Sequence, residues 1–481
     1  MSGRRKHVPW VSALATAWLL SLSIPATAGT LLEDLISPSK DPLQTVPDVI
    51  LTGVTLPGDG VPVPCPAQKN FAMPLNLGEA VDLALCNNAQ IRAAWANIKI
   101  QAAATGEARA AYWPTLSGTA SRINDQTHSG IGSSTINSHT VYGALNWRIF
   151  DFGGREANLG AASQALSAAL SSHDAVMQKT LSEVIQSYFD AMTTKAAWQA
   201  KEQNEAIARS ILDTAKRREV KGAGAHSDTL QAITTLARAT LDRNRALGAY
   251  RKALSVLIYA IGAPSDMQVV LTGRLDEGDG LTIKDLNDWL EAAQKRHPAI
   301  VAARAQLEAA RYRVASARSD ALPTLDFSAN YFENGRPGQG LTLARTQERT
   351  LGIALTIPIF DGFARTYKIR GAEAQVEQKD AELQDIEHQI SMEVVKSHAD
   401  AVAALQNLQA SEVLLTAAQD ALDVSKRKYE KGAADILEIL STQTALSDAQ
   451  QERIRSLADW RSARLRLLAN AGLMGRGAAN Q

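Results

Sequence analysis

Apolar and polar positions follow two periods along this chain, and each period occurs twice. Leu325, Phe327, Ala329 and Tyr331 alternate with Asp326, Ser328 and Asn330, and Leu351, Ile353, Leu355, Ile357 and Ile359 alternate with Gly352, Ala354, Thr356 and Pro358. Val141, Gly143, Leu145, Trp147 and Ile149 repeat the pattern earlier in the chain. A period of two over about 9–11 residues predicts strands with one apolar and one polar face, the pattern of a membrane-barrel strand. A half-buried hairpin of a soluble domain alternates in the same way. The stretches 125–138 and 335–346 are rich in Gly, Ser, Thr and Asn and read as surface loops. The hairpins are therefore expected at about 115–151 and 323–361.

A helical period fills most of the rest. Short helices are predicted near 77–87 and 284–296, and Ala-rich helices over 89–112 and 298–321, stopped by Pro114 and Pro323. No proline occurs from Gly154 to about Glu219 or from Ala364 to about Glu430. Each stretch predicts one helix of roughly 100 Å. Ile207, Ile211 and Ala215, and Leu383, Ile386, Ile390 and Val394, keep three/four spacing, as a coiled-coil-like seam does. Turns at Lys221–Gly224 and Lys431-Gly432 lead into return helices over 226–262 and 436–472. A return helix and the 89–112 helix, end to end, sum to roughly 90 Å, so the two match the long one.

These elements recur in register. Residues 77–121 align with 286–330 at an offset of 209, and later pairs such as Ile149-Phe150-Asp151 with Ile359-Phe360-Asp361, and Gly262 with Gly472, at 210. The unit is too long for a solenoid repeat and marks a duplicated domain. The boundaries read as 75–273 for the first repeat, 274–473 for the second, and 474–481 for a tail.

The N-terminus stands outside this pattern. Arg4, Arg5 and Lys6 precede an apolar run and an Ala26-Thr27-Ala28 cleavage pattern, so 1–28 reads as a secretory signal peptide, with an uncleaved anchor as the alternative. Residues 29–74 form a Pro-rich lead-in. No other segment holds 18 consecutive apolar residues, so an integral span has to be a β-barrel. Lys+Arg and Asp+Glu both number 50, which excludes a strongly basic nucleic-acid binder. Cys65 and Cys86 are too few for a disulfide scaffold or a Cys-rich zinc module. In an exported chain they form a candidate disulfide, with two free thiols as the alternative. No catalytic constellation is present. Ser37-Pro38-Ser39-Lys40 lacks partners, Gly222-Ala223-Gly224 lacks the rest of a nucleotide loop, and the histidines lack metal-ligand spacing. The sequence reads as a non-enzyme without cofactor or metal.

The duplicated hairpin and long helix, the Pro-Thr-Leu strand starts at 114–116 and 323–325, Ile359-Phe360-Asp361-Gly362, and Lys-Gly-Ala at 221–223 and 431–433 ahead of an acid-bearing helix resemble the TolC family of outer membrane factors. The resemblance spans 75–473. The run from Trp147 to Arg155 is most similar to members that export cyclolysin and related repeat toxins by type I secretion. It implies a mainly helical, internally duplicated chain with four strands. Three copies would build a twelve-stranded barrel in the outer membrane of a Gram-negative bacterium and a helical barrel in the periplasm. The implied partners are outer-membrane lipid, a periplasmic adaptor and an inner-membrane ABC transporter docking at the 217–230 and 427–440 tips, and an exported protein cargo, with no nucleic acid. Small-molecule efflux through the same duct is the alternative cargo reading. A soluble periplasmic coiled-coil scaffold is a third reading.

In the family the periplasmic tip is the gate and carries an acidic ring. Asp228 and Glu438, each six past a turn glycine, match those acids, and Tyr429 matches a tyrosine that hydrogen-bonds across the tip and is expected to pair with Asp228. An acidic ring favours cations. The alternative for each acid is an ordinary helix N-terminal carboxylate. Two family positions differ: the gate arginine is Ala434 and a second acid is Ser441. An arginine lock is thus absent, or supplied by Arg217, Arg218, Arg427 or Lys431.

Overall fold

The structure is a computed structural model, and it describes residues 41–47, 65, 74–129, 132–265, 267, 269–272, 283–334 and 346–474. The signal peptide, most of the lead-in and residues 475–481 lie outside the described residues. The chain divides into two compact units, 1–46 and 47–481. In the first, the Asp41 carboxylate accepts hydrogen bonds from the backbone N–H of Thr45 and Val46. Among the described residues the second holds the regular elements. No helix is long and apolar enough to cross a membrane among the described residues.

The first repeat runs α1 (Leu77–Asn87), α2 (Ala89–Ala110), β1 (Thr115–Ser129), β2 (Gly132–Phe150), α3 (Gly154–Val220) and α4 (His226–Ala260). The second runs α5 (Leu286–Arg296), α6 (Pro298–Ser319), β3 (Thr324–Glu333), β4 (Gln347–Thr356), α7 (Ala364–Glu430) and α8 (Ile436–Asn470). Both α3 and α7 have 67 residues, and both α4 and α8 have 35. The starts are set by side chains. Asn76 closes a capping box with Glu79, and Asn88 and Asp435 accept N–H groups of the first turns of α2 and α8.

Burial follows the three/four spacing. Met177, Leu181, Val184, Ile185 and Tyr188 of α3 form one core with Val81, Ala84 and Leu85 of α1 and Leu257 and Ile261 at the end of α4. Ile390, Val394, Ala401 and Leu408 of α7 form the second with Trp289 of α5 and Trp460 and Leu467 of α8. A third, nearer the turns, gathers Ile211, Leu422, Tyr429, Ile436 and Ile439. One polar clamp sits in the first hairpin. The buried Glu205 carboxylate is held by Arg243 of α4 at 2.8 Å and by Arg209 at 3.4 Å, so the charge is not left unpaired. Cys65 and Cys86 form a disulfide with Cα atoms 5.5 Å apart, anchoring the lead-in at the end of α1.

Each return helix ends at the joint between the two short helices of its repeat. Gly262 and Gly472 have φ of +68° and +71°. A Cβ on them would lie 3.0 Å from the Asn87 backbone and the His297 Cα, respectively. At the second joint His297 caps α6, accepting the Ala299 N–H on Nδ1. Burial pulls its imidazole down to about 4. The fold therefore favours the neutral ring. Its contribution is complete above the unfolded value of about 6.5 and is lost as pH falls towards 4, by about 3 kcal/mol in all. The unfolding midpoint is expected to fall over that window. His297→Asn, which copies the Asn88 cap of the first repeat, is expected to remove part of the fall in a pH series of thermal melts. An unchanged pH slope would refute the assignment.

The four strands form one antiparallel sheet in the order β1-β2-β3-β4. Two boundaries differ from the sequence expectation. The stretch 125–138, read as a loop, continues the β1–β2 ladder from Asp125↔Ile136 to Ser129↔Gly132. Ser, Thr, Asn and Gly dominate there and the apolar residues are scattered, so no alternation marks the strands, while antiparallel pairing needs only a tight connection. The second hairpin stops at Thr356 instead of reaching 361, because Pro358 has no N–H to give a ladder. Residues 335–345 lie outside the described residues.

Candidate functional site

Register sorts the sheet into two faces. Leu145 pairs with Ala329, Trp147 with Phe327, and Phe327 with Ile353, so with Leu116, Leu325, Leu351 and Leu355 they share one face. The other face carries Ser117, Thr119, Asn146, Ser328, Asn330, Thr350 and Thr356. An ion pair and a hydrogen bond cross between its strands. Arg148 Nε lies 3.0 Å from Asp326 Oδ1, and Tyr142 donates to Asn330 Oδ1 at 3.2 Å. An apolar outer face and a polar, paired inner face are what a water-filled barrel wall requires.

At the sheet's helix end, each chain crossing is clasped by an arginine four residues past an aspartate. Arg155 donates from N and Nε to Asp151 Oδ2, both at 2.9 Å, from Nη1 to the Arg148 carbonyl at 2.7 Å and from Nη2 to the Ile149 carbonyl at 3.1 Å. Arg365 repeats this with Asp361 and the Pro358 carbonyl. The clasp gives the Arg148, Ile149 and Pro358 carbonyls, at the ends of the strands, a charged donor. It also holds Phe152 and Phe363 at φ of 50° and 68°, a conformation costly for a residue with a Cβ. Sequence reading saw these motifs as repeated but missed their role; the signal was the Asp-x-x-x-Arg spacing in both copies. Trp113, Phe150, Phe152, Phe360, Phe363 and Tyr367 are exposed at these corners, where an interfacial aromatic girdle belongs.

The far ends of the long helices hold the predicted gate residues. Asp228 lies in the first turn of α4, partly buried, with Ser227 Oγ at 3.4 Å. Glu438 lies in the first turn of α8, exposed, with Ser425 Oγ at 3.3 Å and Lys428 Nζ at 3.5 Å. Tyr429 is buried, and its expected hydrogen bond to Asp228 is not among this chain's contacts. Its ring is engaged instead by Arg218, whose Cζ stands 4.6 Å from the ring centroid. Arg218 also donates to the carbonyl of Tyr429 and, at 3.2 Å, to that of Ala223. Burial pushes the Tyr429 phenol above its ordinary value, with Arg218 opposing and Asp228 adding to the rise. Within one chain, Arg218 thus ties the tip of the first long hairpin to the second, beside the apolar contacts of Ile211.

The chain has relatives among known proteins. It is 34% identical over 432 residues to protein CyaE of Bordetella pertussis, covering 89% of this chain and 91% of that one. It is 22% identical over 298 residues to the alkaline protease secretion protein AprF of Pseudomonas aeruginosa, covering 62% of each. Among solved structures it shares the fold of the CmeC outer membrane channel of Campylobacter jejuni, with a TM-score of 0.71 at 18% identity over 83% of this chain and 86% of that one. The model of the outer membrane efflux protein family matches residues 80–263 and 289–473, one block in each repeat. The chain belongs to the outer membrane efflux protein family.

Proposed function

We propose that three copies of this chain close into the exit duct of a tripartite export machine and that its cargo is a protein. Residence in the outer membrane follows from the family. The observation that carries the duct is the sheet: four strands with an apolar and a polar face, and with β1 and β4 left as free edges within the chain. Four strands cannot close, whereas twelve enclose a water-filled lumen. The helices agree. Within one chain α4 packs on α3, α3 on α8, and α8 on α7. The outer members, α4 and α7, carry exposed apolar side chains such as Ile233, Leu241, Val413 and Leu414. Each copy therefore presents two different unsatisfied sides, as a heterologous ring requires.

A periplasmic adaptor and an inner-membrane ABC transporter would meet the duct at the 217–230 and 427–440 tips, where Asp228 and Glu438 supply six carboxylates in a trimer. Protein cargo is supported by the likeness to AprF, whose name records alkaline protease secretion. The test is a mass-spectrometric comparison of culture medium from wild-type, deleted and complemented cells. One large protein is expected to vanish on deletion and return on complementation. An unchanged set of secreted proteins overturns the protein-cargo reading and leaves small-molecule efflux.

A further inference from the structure

The contacts between the two repeats inside one chain predict, residue by residue, the contacts between subunits; this rests on the trimeric reading above. The repeats match in length at every helix, with an offset of 209 from α1 to α5 and α2 to α6, and of 210 from α3 to α7 and α4 to α8. Inside the chain α3 packs against α6 and α8. Among the described residues its counterpart α7 packs chiefly on α5, α6 and α8, α2 on α3, and α4 on α3 with a slight contact to α8, which leaves the corresponding sides open. In a ring built of alternating first and second repeats, α7 meets the partner's α2 and α4 as α3 meets α6 and α8. Each contact between repeats therefore transfers to a named pair between subunits.

Three transfers are informative. At the tip, Arg218 lies over Tyr429; the transferred positions are Lys428 and the partner subunit's Glu219. Towards the sheet, Ser316 Oγ donates to Asn158 Oδ1 at 2.8 Å; the transferred positions are Lys368 and the partner subunit's Glu107. Between them, Gln443 Nε2 donates to the Asn204 carbonyl at 3.2 Å; the transferred positions are Leu414 and the partner subunit's Ile233. In a single chain Leu414 is 50% exposed and Ile233 44%. Two transfers give opposite charges and the third an apolar pair. None reproduces the chemistry of the contact it was transferred from, so the match is not a relic of the duplication.

We propose that the subunit boundary is held at its tip by Lys428 on the partner subunit's Glu219 and at its sheet end by Lys368 on the partner subunit's Glu107, with Leu414 against the partner subunit's Ile233 between them. The other charges there are compatible. Lys428 lies 3.5 Å from Glu438, Lys368 touches Asp320, and Glu219 holds His226 Nδ1 at 2.7 Å; each carboxylate has lone pairs to spare. One transfer is repulsive. Gln186 with Ser462 becomes Lys396 with the partner subunit's Lys252, so attraction is concentrated at the two ends. Around a closed tip, a cation–π contact within each chain then alternates with an ion pair between chains.

The test is cross-linking of the full-length protein in outer membranes with a short bismaleimide. Lys428→Cys with Glu219→Cys, and Lys368→Cys with Glu107→Cys, are expected to give covalent dimers and trimers on denaturing gels, well above either single variant. Lys201→Cys with Ser447→Cys, whose native side chains meet at 2.9 Å inside one chain, is expected to link without leaving the monomer position. As a second measurement, Lys428→Glu is expected to lower the heat resistance of the trimer and Glu219→Lys to restore it. Trimers on native gels without the two ladders, or ladders as strong from single variants, overturn this register while the trimeric duct stands. Wild-type protein that is not trimeric overturns both.

Discussion

Ile353→Lys is expected to remove this protein from the outer membrane, whereas Ala354→Lys, one residue further on, is expected to leave it there. Ile353 lies opposite Phe327 on the apolar face of β4, and Ala354 lies opposite Asp326 on the polar face. A lysine on the lipid face near the bilayer midplane costs about 2–4 kcal/mol. That is a factor of about 30 to 1,000 in the insertion equilibrium of each chain, and a trimer carries three such lysines. At 354 the same side chain points into water and towards the carboxylate that already holds Arg148. Membrane fractionation with recovery of heat-resistant trimers separates the two. Equal recovery of both variants would mean that the sheet does not face lipid, and the barrel reading would fail with it.

The ease with which these two positions can be told apart shows what the sequence makes legible. β3 and β4 meet two different solvents, so their faces differ and a period of two appears in the residues. The outer part of the β1–β2 ladder, from Asp125↔Ile136 to Ser129↔Gly132, is drawn from Ser, Thr, Asn, Gly and scattered charged or apolar residues without a sided pattern. Only pairing, which leaves no periodic trace, reveals it. The long helices were legible for a different reason. Sixty-odd residues without proline, three/four apolar spacing and a duplicate in register agree with one another at every level. The disulfide partners, the joint glycines and the acids at 228 and 438 were likewise visible as positions.

What those positions do was less visible. Arg217, Arg218, Arg427 and Lys431 are indistinguishable as cations near a turn. Which of them reaches across is decided by how the tip of one hairpin lies on the other, some 210 residues away in sequence. The arginine clasps show the same limit. The Asp-x-x-x-Arg spacing can be read from the chain, but the strand carbonyls that the guanidinium groups cover exist only once the sheet has ended.

The largest functional change within the helical part is expected from Arg218→Ala, as a loosened tip. The substitution removes the guanidinium donor from the carbonyl of Tyr429, which keeps the Gly432 N–H at 3.0 Å, and from that of Ala223, and it removes the cation from the Tyr429 ring. Hydrogen bonds from a charged donor contribute about 1.5–3 kcal/mol when desolvated, and a cation–π contact at an exposed site about 0.5–1 kcal/mol. Arg218 is only partly buried, so about 2 kcal/mol per chain is a reasonable total after screening. If three tips open together the effects multiply, moving the closed–open balance by a factor of about 10,000. Purified trimers in planar lipid bilayers are expected to show longer open dwell times and higher mean conductance, and cells to admit large antibiotics that the outer membrane normally excludes. Arg217→Ala removes a neighbouring cation whose recorded hydrogen bond goes to Thr214 of its own helix, and is expected to change neither. The sharper variant is Arg218→Lys. It keeps the charge but gives up the planar fork that serves two carbonyls while lying on a ring, so conductance is expected between that of wild type and Arg218→Ala. A lysine variant identical to wild type would show that charge alone closes the tip and that the two carbonyls are not its anchor.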